Sequence, residues 1–360
     1  MRTNEDSTRR RTLAGICAAA LMASVLVPGC GSKEEPDTTE ELPSIQQMEL
    51  ALDPAKAPPI VFAADREKEY RLYAIEPDGS GRRELTSEFA LSPSWSSDGS
   101  TLAFVGSLVV PSDGDDGHGH DEHGEGDGAT EPEDPVHGDI GTTDFRLGLL
   151  AAEAGSTTSR EVGEARGEPM YPTLDPETGR VYFQVTPGHT RSGKEGKIRA
   201  AIDSVAPGQE GVRTELQGRD SFYQPAWSPD GDSLAVIVSS CEGADCSQAL
   251  KLYDRSLENP RAVTEQGVAG TPAWSPDGRK IAFSWTRDGE AGIWMTEIDG
   301  NPVRVTRDEA DTGPSFSPDG RQIVFGRKCD LYRVNVDGTG LRNLTRTPRQ
   351  CEITPSWRPR

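Results

Sequence analysis

Basic residues are in short supply: the 360-residue chain has 38 Lys and Arg against 59 Asp and Glu, a formal net charge of −21. So negative a surface repels phosphate backbones and anionic headgroups, which excludes nucleic acid as a partner and membrane contact through a basic patch. Long apolar stretches are missing too. The one exception, Leu13 to Val27, is shorter than the roughly 20 residues a helix needs to cross a bilayer. Aromatic residues make up only 6%, and there are five histidines. No Gly-x-Ser-x-Gly elbow occurs, so the appended hydrolase domain that makes some propeller proteins peptidases has no signature here.

What the chain has in quantity is repetition. PSWSSDG from Pro93, PAWSPDG from Pro225 and again from Pro272, and PSFSPDG from Pro314 are copies of one motif; PTLDPETG from Pro172 is a degenerate copy and PSWRPR from Pro355 a truncated one. The copies settle to a spacing of about forty residues, the length of a β-propeller blade. Each motif is followed by an alternating apolar run, as in Leu102 to Val105, Leu234 to Val238 and Ile281 to Trp285. A second run such as LKLYD from Leu250 and a short last one such as VRVT from Val303 complete the unit. Period-two patterns rich in β-branched and aromatic residues, punctuated by Gly and Pro, predict antiparallel strands, four per unit, A to D. The runs from Ile60, Tyr70 and Arg82 read as strands B, C and D without an A, while the last motif writes only an A. The expected fold is all-β: a six-bladed β-propeller over residues 57–360, closed by N- and C-terminal strands that share the last blade. Closure of this kind removes open sheet edges.

Within the motif, Ser-Pro-Asp-Gly suits a tight reversal between strands A and B, because Pro presets φ, Asp bonds its own backbone and Gly accepts positive φ. Asp98, Asp230, Asp277 and Asp319 are therefore read as turn residues before they are read as an acidic binding ring. Trp95, Trp227, Trp274, Phe316 and Trp357, one per repeat, are expected to fill the gaps between blades rather than to stack on a ligand.

These motifs, PSWSPDG-like turns followed by IAF-like, IYxxDxDG-like and RLT-like runs, resemble the TolB-like family of β-propeller repeats over roughly residues 57–360. The resemblance implies a propeller and, by the family's habit, a protein partner in the cell envelope. It departs from the family at the N-terminus, where residues 31–56 take the place of a separate α/β domain. The repeat is also similar to that of the oligogalacturonate lyases, which implies the competing reading of a polysaccharide lyase or hydrolase with its site over the central channel. His189, with Arg191 and Lys194, is the histidine that such a site would draw on.

Arg9 to Arg11 and the apolar run that follows form a bacterial signal, and Val27-Pro28-Gly29-Cys30 resembles a lipobox. Residues 1–29 are thus expected to be a lipoprotein signal peptide, Cys30 the acylated residue, and 30–56 a flexible acidic tether that holds an exported propeller to a bacterial membrane. In an exported protein the remaining cysteines oxidise. Cys241 and Cys246 flank a short connection within one blade, and Cys329 and Cys351 sit in connections that leave a propeller on the same face, so 241–246 and 329–351 are the expected disulfides. Loop entropy gives each roughly 2–3 kcal/mol. The insertion at 111–144 holds four of the five histidines and no Lys or Arg. His118, His120, Asp121 and His123 there are candidate ligands for weakly bound Zn²⁺ or Ni²⁺, against the reading of a plain acidic loop. No catalytic residue and no required cofactor are expected. The overall expectation is a monomeric, non-enzymatic envelope lipoprotein whose propeller binds a protein, peptide or glycan.

Overall fold

A computed structural model describes residues 47–360, apart from 67–68, 110–144, 164–167, 187–198, 207–208, 210, 243–244, 265–266 and 348–349. The chain opens with β1 (Gln47–Glu49), turns through a single 3-10 turn at Pro54–Lys56, and lays down β2 (Ile60–Arg66), β3 (Glu69–Ile75) and β4 (Arg83–Glu84). Blade one is β5 (Ala90–Trp95), β6 (Thr101–Val109), β7 (Phe145–Glu153) and β8 (Thr158–Gly163); blade two is β9 (Glu168–Leu174), β10 (Val181–Thr186), β11 (Ala201–Val205) and β12 (Arg213–Leu216). Blade three follows as β13 (Ser221–Trp227), β14 (Ser233–Glu242), β15 (Asp245–Asp254) and β16 (Arg261–Ala262), and blade four as β17 (Val268–Trp274), β18 (Lys280–Arg287), β19 (Glu290–Glu297) and β20 (Val303–Arg304). Blade five is β21 (Asp311–Phe316), β22 (Gln322–Arg327), β23 (Asp330–Asn335) and β24 (Arg342–Asn343). The last strand, β25 (Glu352–Trp357), pairs antiparallel with β2, so blade six has the order β25-β2-β3-β4.

The inner strands β5, β9, β13, β17, β21 and β25 meet their neighbours in turn, and β25 meets β5, closing the ring. The protein is a six-bladed β-propeller whose sixth blade is built from both ends of the chain. Strand B is the buried spine of each blade. It places Phe62, Phe104, Phe183, Phe283 and Phe325 at one repeat position, all fully buried, with Val236 in their place in blade three. Burying each such ring contributes about 1.5–3 kcal/mol. Strand D is short, but its closing threonine ties it down. Thr86, Thr264, Thr306 and Thr345 each accept, through Oγ1, a strand-C amide at 2.8–3.0 Å. The RLT-like run of the repeat is therefore a clasp on the outer edge.

The motif aromatics seal the blades. Trp95, Trp227, Phe316 and Trp357 are buried, and Trp274 is half-buried with its indole N–H donating to the Ala226 carbonyl at 2.9 Å. Trp227 meets Tyr182 of the preceding blade edge-on, and Trp357 packs with Val324 and Leu331 of blade five. Hydroxyls stitch the same seams: Thr173, Ser315 and Ser356 accept the amides of Trp227, Trp357 and Trp95.

The segment 30–56 needs one correction, because its final residues are not tether. β1 adds a fifth strand to the outer edge of blade one by pairing with β8, Met48 opposite Ser159. Met48 and Leu50 are buried, and the Asp53 carboxylate, also buried, accepts the amides of Ala55 and Gly155 at 2.8 and 2.9 Å. The physical reason is local alternation. In Met48-Glu49-Leu50 the two apolar residues share one face and Glu49 the other, which suffices for an edge strand even in an acidic stretch.

Candidate functional site

Each inner strand carries the motif proline, and a proline cannot donate to a sheet ladder. It survives here because the inner edge faces the central channel and because every inner strand bulges at that point. The pairing register slips beside all six prolines. The residue before each proline takes a left-handed backbone: Ser92, Tyr171, Gln224, Thr271, Gly313 and Thr354, with φ between 48° and 63°. Only Gly313 does so without cost; in Thr271 and Thr354 a β-branched side chain is held in a region such residues seldom visit.

These six residues line the channel and bond around it. The Gln184 side-chain carbonyl accepts the Gln224 amide at 3.2 Å, Gln224 accepts that of Thr271 at 2.6 Å, and Thr271 Oγ1 accepts that of Gly313 at 3.0 Å. The chain of bonds stops at Gly313, which has no side chain to pass it on. Past that break, the buried hydroxyls of Thr354 and Ser92 have no partner among the described residues. Burial pushes the Tyr171 phenol above its ordinary pKa, a shift that its hydrogen bond to Gln224 opposes. From this layer to the Ser-Pro-Asp-Gly turns runs a cavity of about 320 Å³ walled by the six motif prolines, the motif aromatics, Ser, Thr and Gln; among the described residues Arg360 is the one charged side chain lining it.

The turns at that mouth repeat one geometry. Ser96, Ser228, Ser275 and Ser317 donate to the aspartate two residues on at 2.5–2.6 Å. Each hydroxyl in turn accepts the amide five residues on at 2.9–3.0 Å. The serine hydrogen bond first, helped by a backbone N–H, holds Asp98, Asp230, Asp277 and Asp319 below the usual carboxylate pKa. These aspartates are committed to the turn.

A second concavity, of about 600 Å³, opens on the opposite face between blades five and six, lined by Asp65, Lys328, Cys329, Asp330, Arg346, Thr347, Gln350 and Cys351. Cys329 is disulfide-bonded to Cys351, tying the β22–β23 turn to the connection that leads into β25. Behind it, the fully buried Glu352 carboxylate accepts from Arg82 at 2.6 Å and Thr347 at 2.9 Å. Burial still pushes the Glu352 carboxyl above its ordinary range, since Thr345, Arg82 and Thr347 offset only part of that cost.

Of the residues singled out in the sequence, Cys241 and Cys246 are bonded directly across the β14–β15 hairpin. Cys30, the candidate ligands His118, His120, Asp121 and His123, and His189 with Arg191 and Lys194 all lie outside the described residues. Sequence reasoning missed the left-handed ring and the cleft at blades five and six. The six prolines inside inner strands were the available signal for the ring.

Residues 208–360 match the TolB beta propeller domain. Over those residues the propeller resembles that of TolB. A stretch of 81 residues is 32% identical to the Tol-Pal system protein TolB of Alcanivorax borkumensis, covering 22% of this chain and 18% of that protein. The crystal structure of TolB from Acinetobacter baumannii superposes with a TM-score of 0.60 at 20% identity over 84% of this chain and 66% of that one. The oligogalacturonate lyase of Vibrio parahaemolyticus superposes at 0.50 with 12% identity, over 84% of this chain and 79% of that one. At those identities the two structures speak to fold alone. The TolB-like match thus spans under a fifth of the curated relative's length.

Proposed function

We propose that this chain is an exported, lipid-anchored envelope protein whose TolB-like propeller binds a protein, peptide or glycan partner and does not itself catalyse a reaction. The observation that carries the reading is the chemistry of the channel wall. Hydroxyls, amides, prolines and aromatic rings offer hydrogen bonds and flat apolar contact, while the described lining includes no Asp, Glu, His or Lys side chain to move a proton or hold a metal. The curated relative named for the Tol-Pal system supports a partner in the envelope. Under this reading Cys30 carries the anchor, and the histidines of 111–144 bind Zn²⁺ or Ni²⁺ weakly without being required.

The test is site-specific photocrosslinking of the full chain in its native envelope. Benzoylphenylalanine in place of Ser97 at the channel mouth, or of Arg346 on the other face, should trap a discrete partner, whereas the same group at Arg83 on the outer rim should not. Cleavage of an oligogalacturonate by the purified protein would replace this reading with the lyase. Labelled palmitate should enter the wild type and not Cys30→Ala; label in both would remove the anchor. Calorimetric Zn²⁺ binding should vanish on deletion of 113–139, and unchanged affinity would dismiss the metal site.

A further inference from the structure

We infer that the waist of the central channel is a site for a neutral, hydroxyl-bearing sugar unit. The inference rests on the binding role proposed above and narrows its partner to an uncharged glycan. The waist is uneven. Along blades two to four, Tyr171, Gln224 and Thr271 join their polar ends in the relay around the channel. At blades five, six and one the matching positions hold Gly313, Thr354 and Ser92, and a Cβ on Gly313 would meet nothing closer than Pro355 Cδ at 3.6 Å, which leaves room on that side. The same cavity carries polar atoms that the protein does not pair. Ser92 Oγ, Thr354 Oγ1 and the indole N–H groups of Trp95 and Trp227 are buried without a hydrogen-bond partner among the described residues, and all four residues line it.

That set of atoms selects the ligand. An apolar guest would leave all four without partners, each a standing desolvation cost. A charged guest would give up its hydration for a wall with almost no opposite charge. The described lining has no Asp, Glu, His or Lys, and Arg360 also borders the concavity beside Asp98 and Asp319, which puts it at the mouth. A peptide strand brings an N–H at nearly every residue, and the two indole groups cannot accept one. An uncharged ligand rich in oxygen meets all four atoms, since its hydroxyls donate to and accept from Ser92 and Thr354 and accept from the indoles. The C–H faces of a sugar ring also suit the flat apolar surface of the prolines that ring the wall. At about 320 Å³ the cavity stands at the lower end of ligand pockets, about 300–1,000 Å³, a size for a sugar ring rather than for a folded segment.

The probes are glucose, galactose, mannose, N-acetylglucosamine and maltose, with glucuronate and galacturonate as charged counterparts, each added to the full chain and followed by saturation-transfer NMR and calorimetry. At least one neutral sugar should bind, and the uronates should bind at least about tenfold more weakly. Thr354→Val, which keeps the β-branch and drops the hydroxyl, and Ser92→Ala should each weaken that binding about tenfold. Ser80→Ala, which removes an exposed hydroxyl outside the lining, should leave it unchanged. Urea midpoints no lower than wild type in the two channel variants separate a lost contact from a lost fold. Absence of binding by every one of these sugars would mean that the channel takes up water only and would overturn the inference. So would a uronate that binds as tightly as its neutral parent, or binding that ignores both channel variants. The broader reading is judged separately. A partner trapped at Ser97 with no sugar bound removes this site and spares the binding role, whereas a sugar that binds and is cleaved keeps the site and removes the non-catalytic reading.

Discussion

Truncation after Thr354 removes the second half of β25 and tests whether both ends of the chain hold one blade. The lost segment includes Trp357, buried in the cluster of Ile60, Phe62, Tyr73 and Leu344. Removing a core aromatic costs about 3–5 kcal/mol. The Trp357 amide also loses Ser315 Oγ at 2.9 Å, the Arg358 amide loses the Pro59 carbonyl at 2.8 Å, and the Arg358 guanidinium loses the carbonyls of Gly99 and Ala55 at 3.1 and 2.9 Å. At about 0.5–1.5 kcal/mol per hydrogen bond, the total reaches roughly 5–11 kcal/mol. That is comparable with the whole stability of an ordinary domain, about 5–15 kcal/mol. Thermal and urea unfolding should therefore show the truncated chain melting more than about 10 °C below wild type, while deletion of residues 36–40, before the first described strand, leaves the midpoint unchanged. Equal midpoints for all three proteins would mean that β25 does not carry the seam, and the six-bladed closure would have to be redrawn.

Further outcomes follow from single positions. Thr354→Gly should stabilise by about 1 kcal/mol, because it relieves a left-handed β-branched residue and removes an unpartnered buried hydroxyl. Thr271→Gly, which loses the acceptor for the Gly313 amide, should not, and paired urea midpoints separate the two. Gly292→Ala would drive its Cβ into the Thr306 carbonyl oxygen and should cost well over 2 kcal/mol, whereas Gly289→Ala, with open space around it, should cost about 1 kcal/mol for its left-handed φ. Asp98, Asp230, Asp277 and Asp319 titrate lower in the folded chain than in the unfolded one. As pH falls through those folded pKa values the unfolded state takes up more protons, so stability present at neutral pH should drain away in acid. Replacing all four with Asn should flatten that slope in pH-dependent melting; an unchanged slope would assign acid sensitivity elsewhere.

The ring was legible because its determinants are local and repeated. Ser-Pro-Asp-Gly is a complete turn instruction within four residues, and strands B announce themselves through Phe62, Phe104 and their counterparts. What stayed hidden depends on neighbours distant in the chain. β1 has three residues and earns its place only by meeting Ser159. The left-handed residues before the prolines look ordinary in sequence, and only the cross-blade acceptors Gln184, Gln224 and Thr271 show what the bulge is for. The cleft brings Lys328 and Arg346 from separate connections to Asp65 at the start of the propeller, an adjacency no pattern along the chain encodes.

Blade six also sets the order in which the molecule can be completed. β2, β3 and β4 are among the first strands to exist, yet their inner partner β25 is made last, after almost the whole propeller. Until then Ile60, Phe62 and Ala64, which end fully buried, belong to a three-stranded sheet with an unpaired apolar edge, a form open to misassembly. A contact this remote in sequence carries a loop-closure cost that the pairings within the other blades do not. A chain cut short anywhere before Trp357 keeps that edge exposed, so the first strands of the propeller gain their full burial only once β25 has been made and has paired with β2.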